Sequence, residues 1–212
     1  MSRHLLQAAL LLLVMHAGAA DLPANPPAEV RTAIFAGGCF WCVEADFEKL
    51  PGVIGAESGY TGGSTVNPTY EQVSSGRTGH AEAVRVRYDP RQLSYPQLLE
   101  YFWRHIDPTV KDRQFCDVGR QYRSAIFWQN DAERKAAESS RDVLLASGRL
   151  PRIETEIVAA SAFYPAEEYH QDYYKKNPIR YAYYRQACGR DQRVRQIWES
   201  AEPLNPPRRA AP

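Results

Sequence analysis

The sequence predicts an α+β protein, a two-layer α/β sandwich with a central mixed sheet and an irregular C-terminal segment. Three observations support this fold class. Short runs of strand periodicity alternate along the chain with longer runs of helical periodicity. The 212 residues suffice for one continuous core. Hydrophobic residues make up 44% of the chain and charged residues 24%, a globular composition rather than a disordered or fibrous one.

The N-terminus is typical of a secretory signal peptide. Arg3 and His4 precede an apolar stretch over 5–14, and small residues over 17–20 provide a cleavage site. This stretch is shorter than the roughly 20 residues that a membrane-spanning helix needs, so we expect a periplasmic or secreted protein without stable membrane insertion. The expected organisation is a signal peptide over 1–20, a linker over 21–29, one domain over 30–200 and a Pro-rich tail over 201–212.

The first predicted unit of the domain is a strand, a tight turn and a helix. Residues 32–36 are apolar on both faces, which indicates a buried strand, and Gly37 and Gly38 end it. From Phe40 the apolar residues recur at helical spacing, until Pro51 stops the run.

The later elements follow from alternation and capping signals. Residues 81–88 alternate as a strand does, and Ser94 with Gln97 forms a capping-box pattern that opens a helix. The same criteria predict a strand over 122–128, a helix over 131–145 and a strand over 153–159.

Charge and cysteine content exclude several functions. Basic and acidic residues nearly cancel, 26 against 25, so no overall field would attract nucleic acid. Four cysteines are too few for a disulfide-dense mini-protein, and they lack the paired spacing of a zinc site. His80, His105 and His170 are scattered, so the sequence predicts no metal centre.

Cys39 is the first candidate for chemistry. It follows the Gly-Gly turn and begins a helix, where free N–H groups and the helix dipole would depress the pKa of its thiol. The alternative is a small buried core thiol. Phe40 and Trp41 come next, and their rings would form an apolar pocket for a small alkyl group if they are not simply core aromatics.

Glu82 is the second candidate. It shares a strand face with Val84, Val86 and Tyr88, so burial should raise its pKa and keep it protonated near neutral pH. A neutral carboxyl can donate a proton to a reacting oxygen. The alternative is that Glu82 lies exposed at the end of the strand or pairs with an arginine.

Several separated motifs, in this order, resemble the peptide methionine-S-sulfoxide reductases of the A type. They are GGCFWC (37–42), PTYE (68–71), TGHAEAV (78–84), DVGRQYRS (117–124), AEEYHQ (166–171) and KKNP (175–178). The resemblance extends over about 32–198 and implies a ferredoxin-like core.

The resemblance implies that Cys39 attacks the sulfur of a methionine sulfoxide, with Phe40 and Trp41 holding the substrate methyl group. Protonation of the departing oxygen and support of the polar side of the pocket would come from Glu82, Tyr70, Tyr122 and Asp117. Methionine leaves, and the nucleophile becomes a sulfenic acid.

A second thiol must then resolve that sulfenic acid. The sequence favours Cys188, beside a glycine in the C-terminal segment, over Cys116 and then Cys42, which a helix start would direct away from Cys39. The resemblance further implies an external thioredoxin-like dithiol as reductant, no metal or organic cofactor, oxidised peptides and proteins as substrates, and a monomer. Four C-terminal arginines are interpreted as a solvated face: Arg185, Arg190, Arg193 and Arg195.

Three other functions remain open on the sequence. A thioredoxin-like oxidoreductase would use Cys39 and Cys42 as its dithiol. A cysteine hydrolase would use His80 or His170 as base for Cys39. A non-catalytic secreted module would pair the four cysteines in two structural disulfides.

Overall fold

The computed structural model of the protein describes residues 29–199. The predicted signal peptide, the linker up to residue 28 and the tail lie outside the described residues. The strands are β1 (Arg31–Gly37), β2 (Val53–Thr61), β3 (Ala81–Tyr88), β4 (Arg113–Gln114), β5 (Asp117–Val118), β6 (Ser124–Trp128), β7 (Glu156–Ala159) and β8 (Tyr164–Pro165). The helices are α1 (Phe40–Phe47), α2 (Tyr70–Ser74), α3 (Tyr95–Trp103), α4 (Asp131–Ala146), α5 (Tyr173–Lys176), α6 (Pro178–Ala187) and α7 (Arg190–Trp198), with a 3₁₀ turn over Arg120–Tyr122.

The centre of the fold is a six-stranded sheet in the order β7-β6-β1-β3-β2-β8. Strands β6 and β7 are parallel, whereas every other neighbouring pair is antiparallel, so the sheet is mixed as predicted. A separate hairpin joins β4 and β5. Within residues 29–199, none of the helices has the length and apolar character needed to cross a membrane.

One face of the sheet carries the main core beneath α1, α3 and α4. Phe35 of β1 stacks between Phe47 of α1 and Phe102 of α3, with ring centroids 5.0 Å apart in each pair. The opposite face carries mostly small side chains, such as Ala83 and Ala125, and packs against Phe163 of the chain before β8. This arrangement is the predicted two-layer sandwich.

Strand β2 is missing from the sequence prediction. Its residues include Gly55, Gly59 and Ser58, which have low strand propensity and blur the alternation. Antiparallel pairing with β3 along most of its length nevertheless makes it a strand, because tertiary contacts override local propensity.

The C-terminal segment, predicted to be irregular, contains two helices. Pro178 begins α6, and Gly189 in the left-handed conformation, with φ of 69°, separates α6 from α7. Neither helix has a wide apolar stripe that would have revealed it in the sequence, and each buries only one or two side chains.

The interpretation of the C-terminal arginines as a solvated face is wrong for two of them. Arg185 forms an ion pair with Asp46 at 2.9 Å and is 15% exposed in its side chain. Arg190 is 2% exposed and donates to the carbonyl oxygen of Gly37 at 3.0 Å. Arg195, by contrast, is exposed as expected.

Candidate active site

The turn between β1 and α1 presents Cys39 as the N-cap residue of the helix. Gly38 has φ of 86°, and a Cβ there would lie 2.6 Å from Cβ of Gln114. Only glycine satisfies both the positive φ and this close approach, so the turn packs directly against the β4–β5 hairpin.

Glu82 lies next to this turn because of the sheet register. Phe35 of β1 pairs with Val84 of β3, so two residues further Gly37 lies beside Glu82. The backbone N–H of Phe40 donates to Oε2 of Glu82 at 3.0 Å. The sheet thus fixes the carboxyl next to the start of the helix that carries Cys39.

The Glu82 carboxyl is buried and neutral near pH 7. Burial raises its pKa to about 8, the charge of Asp117 adds to the shift, and the hydrogen bond from Phe40 opposes it. The side chain is 2% exposed and pairs with no arginine among the described residues, so the structure favours the buried interpretation over the exposed one.

A cavity of about 90 Å³ lies beside Cys39 and Glu82. It is lined by Cys39, Phe40, Trp41, Tyr70, Glu82, Asp117, Tyr122 and Tyr184. Every predicted site residue except Cys188 therefore lies around one small cavity, although the motifs that carry them are widely separated in the chain. Tyr184 is the one lining residue that the sequence analysis missed.

The aromatic wall of the cavity is held rigidly. The ring of Trp41 stacks on Tyr173 with centroids 3.7 Å apart, and its indole N–H donates to Nδ1 of His170 at 3.0 Å. The Phe40 ring is 1% exposed and lies against Tyr60 and His170. Such a fixed apolar wall suits a methyl-sized group.

Two phenols supply the polar side together with the carboxyl. Burial raises the pKa of Tyr70 to about 12 and raises the pKa of Tyr122, so both remain O–H donors at neutral pH. Tyr70 begins α2, where its backbone N–H donates to Oε1 of Glu167 at 2.9 Å. Tyr122 closes the 3₁₀ turn before β6, where the sequence predicted strand.

The predicted depression of the Cys39 pKa is wrong. Burial raises the pKa of this thiol, and the neighbouring Cys42 and Glu82 add to the effect. The helix N-terminus does not compensate, because the Cys39 side chain accepts no hydrogen bond from the first turn. Cys39 therefore rests as a thiol, which would have to lose its proton in order to act as a nucleophile.

The four cysteines fall into two pairs. Cys116 and Cys188 form a disulfide with Cα atoms 5.0 Å apart, while Cys39 and Cys42 are free and buried. Cys188, the preferred partner of Cys39 in the sequence analysis, is thus bonded to Cys116 in this state. Cys42 was expected to point away, and it is absent from the cavity lining, yet it is near enough to Cys39 for each thiol to shift the pKa of the other.

Asp117 connects the disulfide with the cavity. Its carboxylate lies 3.7 Å from Sγ of Cys116 and 4.0 Å from Sγ of Cys188. The Tyr184 hydroxyl donates to Asp117 at 2.7 Å, and Tyr184 lines the cavity together with Cys39. Tyr184 precedes Cys188 by four residues, about one helical turn, so a helix prediction for this segment would have pointed to it.

The histidines do not support a hydrolase. Nδ1 of His80 accepts from Gly63 at 3.1 Å, His170 accepts from Trp41, and neither lines the cavity. Within residues 29–199, the cluster with metal-ligand spacing is Cys116, Asp117 and Cys188, in which the disulfide occupies both sulfurs.

A confined thiol beside a neutral carboxylic acid can attack a soft centre while a proton reaches the departing group. The nearby Cys116–Cys188 disulfide places a second pair of sulfur atoms next to this thiol, and thiols and disulfides can exchange. The fold and the site therefore define a cysteine-dependent oxidoreductase with a single α+β core.

Comparison with known proteins gives the family. A family model described as peptide methionine sulfoxide reductase matches residues 31–202, and the chain belongs to this family, as a member of its A type. It is thus an oxidoreductase that reduces methionine sulfoxide through cysteine chemistry.

Similar proteins cover most of the chain. Peptide methionine sulfoxide reductase MsrA of Bacillus licheniformis is 53% identical over 167 residues, which are 78% of this chain and 92% of the relative. MsrA 2 of Caulobacter vibrioides is 48% identical over 192 residues, 89% and 97% of the two chains. The structure of methionine sulfoxide reductase A of Corynebacterium diphtheriae has a TM-score of 0.64 at 38% identity, covering 77% of this chain and 82% of that one. Reduced Mxr1 of Saccharomyces cerevisiae has a TM-score of 0.66 at 33% identity, covering 73% and 88%.

Proposed function

We propose that this protein reduces the S epimer of methionine sulfoxide in peptides and proteins, with Cys39 as nucleophile. The observation that carries the proposal is the cavity of about 90 Å³, which holds the Cys39 thiol and the neutral Glu82 carboxyl together. Its size and its aromatic wall, Phe40 and Trp41, match the methyl group of a methionine sulfoxide.

The first step follows from the chemistry of these groups. The thiolate of Cys39 attacks the sulfoxide sulfur, and the sulfoxide oxygen takes a proton from Glu82 while Tyr70 and Tyr122 donate hydrogen bonds to it. The oxygen ends on Cys39 as a sulfenic acid, and the methionine thioether leaves. Asp117 supports the polar side of the cavity, opposite the aromatic wall.

The second stage regenerates the thiol through the other cysteine pair. Cys188 attacks the sulfenic sulfur of Cys39, the S–O bond breaks, and the hydroxyl group leaves as water. Cys116 then attacks Cys188, which releases Cys39 as a thiol and forms the Cys116–Cys188 disulfide. Two observations support this order: these two cysteines are already bonded, and Cys116 is exposed whereas Cys39 is 7% exposed.

An external thioredoxin-like dithiol would complete the cycle by attacking the exposed Cys116 sulfur. The N-terminal pattern of an apolar stretch followed by small residues supports an exported enzyme, working in the periplasm or outside the cell. Its role there would be to repair oxidised proteins, because methionine sulfoxide is polar where a core needs an apolar side chain.

The yield of methionine without reductant tests both stages. Prereduced protein should release about two methionines per chain from an S-epimer peptide, because resolution regenerates Cys39 once, and none from the R epimer. Cys116→Ser and Cys188→Ser should each stop at about one methionine, because neither can return Cys39 to the thiol. Methionine is quantified after rapid mixing, and the remaining thiols are titrated.

Two outcomes would contradict the proposal. No methionine from folded, prereduced protein would exclude the reductase activity of this site. About two methionines from Cys188→Ser would leave the activity intact but remove Cys188 from the resolving role.

Cys42 gives a separate prediction, because a thioredoxin-like mechanism would make it essential. Cys42→Ser should retain about two methionines per chain, with a first turnover within about threefold of wild type, because Cys116 and Cys188 remain to resolve the sulfenic acid. The assay is the same rapid mixing. A yield of about one methionine would instead make Cys42 the resolving thiol.

A further inference from the structure

Cys188 lies in a short stretch of chain that contacts the active site both before and after this cysteine. We call residues 184–190 the resolving segment. Cys188 ends α6, Gly189 makes the left-handed turn, and Arg190 begins α7. The side chains at the two ends of this segment, Tyr184 and Arg190, both contact the catalytic region.

The first contact is made by Tyr184, one helical turn before Cys188. Its hydroxyl donates to Asp117 at 2.7 Å, and its side chain lines the cavity together with Cys39. Residues four apart lie on the same face of a helix. Cys188 is therefore on the side of α6 that faces the cavity.

The second contact is made by Arg190, two residues after Cys188. It is 2% exposed, and its guanidinium donates to the carbonyl oxygens of Gly37 at 3.0 Å and His105 at 2.9 Å. The guanidinium carbon also lies 4.6 Å from the centre of the Phe115 ring, next to Cys116. Asp46 is its nearest counter-charge, with 3.5 Å between Nε and Oδ2.

Burying an arginine is costly, and its main partners here are backbone carbonyls. One of these belongs to Gly37, two residues before Cys39. The hydrogen bond from Arg190 to Gly37 thus links two short stretches of chain. Arg190 lies two residues after Cys188, and Gly37 lies two residues before Cys39. Neither of these two hydrogen bonds involves a sulfur atom of the disulfide, so we expect the link to persist when Cys116 and Cys188 are reduced.

We infer that Arg190 is a positioning residue for the resolution step: it holds the reduced Cys188 over Cys39. The inference rests on the proposed function, in which Cys188 attacks the sulfenic acid. Tethering two reactive groups raises their effective concentration and so speeds their reaction. The guanidinium takes no part in forming the S–S bond or in breaking the S–O bond.

The test compares two variants of the same helix in single-turnover experiments. Arg190→Met removes the link to the catalytic turn. Arg195→Met is the matched control, because Arg195 is also on α7 and its side chain is exposed. Methionine release reports the first step, and trapping by a sulfenic-acid-selective 1,3-diketone reports the lifetime of the Cys39 sulfenic acid.

We expect Arg190→Met to lengthen the sulfenic-acid lifetime by about tenfold or more, with the first methionine released within about threefold of the wild-type rate. The control should change neither quantity by more than about threefold. Equal slowing of both steps in Arg190→Met would overturn the inference, because the guanidinium would then act on the catalytic turn in general. An unchanged lifetime would overturn it as well.

Arg190→Lys covers the case in which Arg190→Met fails to fold. Lysine keeps the charge but lacks the planar fork, so it cannot hold both carbonyls in the same way. Its sulfenic-acid lifetime should also lengthen, by a smaller factor, and a wild-type lifetime in a folded Arg190→Lys would overturn the inference. If the proposed function itself fails, wild-type protein will release no methionine. That outcome differs from failure of the inference about Arg190, in which wild-type protein still releases methionine.

Discussion

Cys39→Ser is expected to lower methionine release from an S-epimer peptide by at least about 10³-fold. A hydroxyl does not ionise near neutral pH as a thiol can, and its oxygen is a far poorer nucleophile toward sulfur. The substitution is nearly isosteric in a side chain that is 7% exposed, so the fold should persist. Rapid mixing of prereduced protein with the peptide, followed by quantification of methionine, measures the loss.

Cys42→Ser is the matched control for this result, because it makes the same change three residues along the same helix. A large loss in Cys39→Ser beside nearly full activity in Cys42→Ser assigns the nucleophile. Comparable activity in both variants would mean that another thiol attacks the substrate. Free-thiol titration of both variants before mixing ensures that the remaining cysteines are reduced.

Glu82→Gln is expected to lower the first turnover by about 10²- to 10³-fold. Glutamine keeps the shape and an oxygen that can accept from the Phe40 N–H, but it cannot transfer a proton to the sulfoxide oxygen. Without that proton the oxygen is a poor leaving group. The loss should appear in the rate of methionine release and not in the final yield per chain.

The pH dependence gives an independent measurement of the same role. Burial raises the pKa of Glu82 to about 8, so the proton-donating form predominates below that pH and is lost above it. The raised pKa of Cys39 makes the thiolate fraction, and with it the rate, grow with pH, and the ionisation of Glu82 should stop this rise above pH about 8. Glu82→Gln should remove the levelling, so that its slower rate keeps rising with pH.

Glu44→Gln is the control for this experiment. Glu44 is also a buried carboxyl, and burial raises its pKa to about 7, but it does not line the cavity. The levelling of the rate above pH about 8 should survive in this variant. If the levelling is unchanged in Glu82→Gln, or if Glu82→Gln turns over within about threefold of wild type, Glu82 is not the proton donor.

The parts of the site that could be predicted from sequence depend on strong local signals. An apolar run followed by two glycines defines the turn before Cys39, and alternation in β3 places Glu82 on the covered face. The remaining cavity residues are predicted from motifs that occur in the same order in the peptide methionine sulfoxide reductases. These signals are local or motif-based, and burial follows directly from them.

The missed features depend on contacts between distant parts of the chain. The polar helices α6 and α7 have no wide apolar stripe, and their docking depends on side chains such as Arg190, which bonds to a residue 153 positions away. The predicted lowering of the Cys39 pKa is wrong for a related reason. The start of the helix can be predicted from sequence, whereas the depth to which the thiol is buried cannot.

The hairpin that carries Cys116 and Asp117 places neighbouring residues in two different environments. Asp117 lines the cavity, whereas Cys116 is exposed to solvent. In the proposed cycle the substrate would contact one set of side chains and the electron donor another, although a single peptide bond separates Cys116 from Asp117. Substitutions on the outer surface of the hairpin would then change which donor is accepted without altering which sulfoxide is reduced, so that donor choice and substrate choice could diverge independently during evolution.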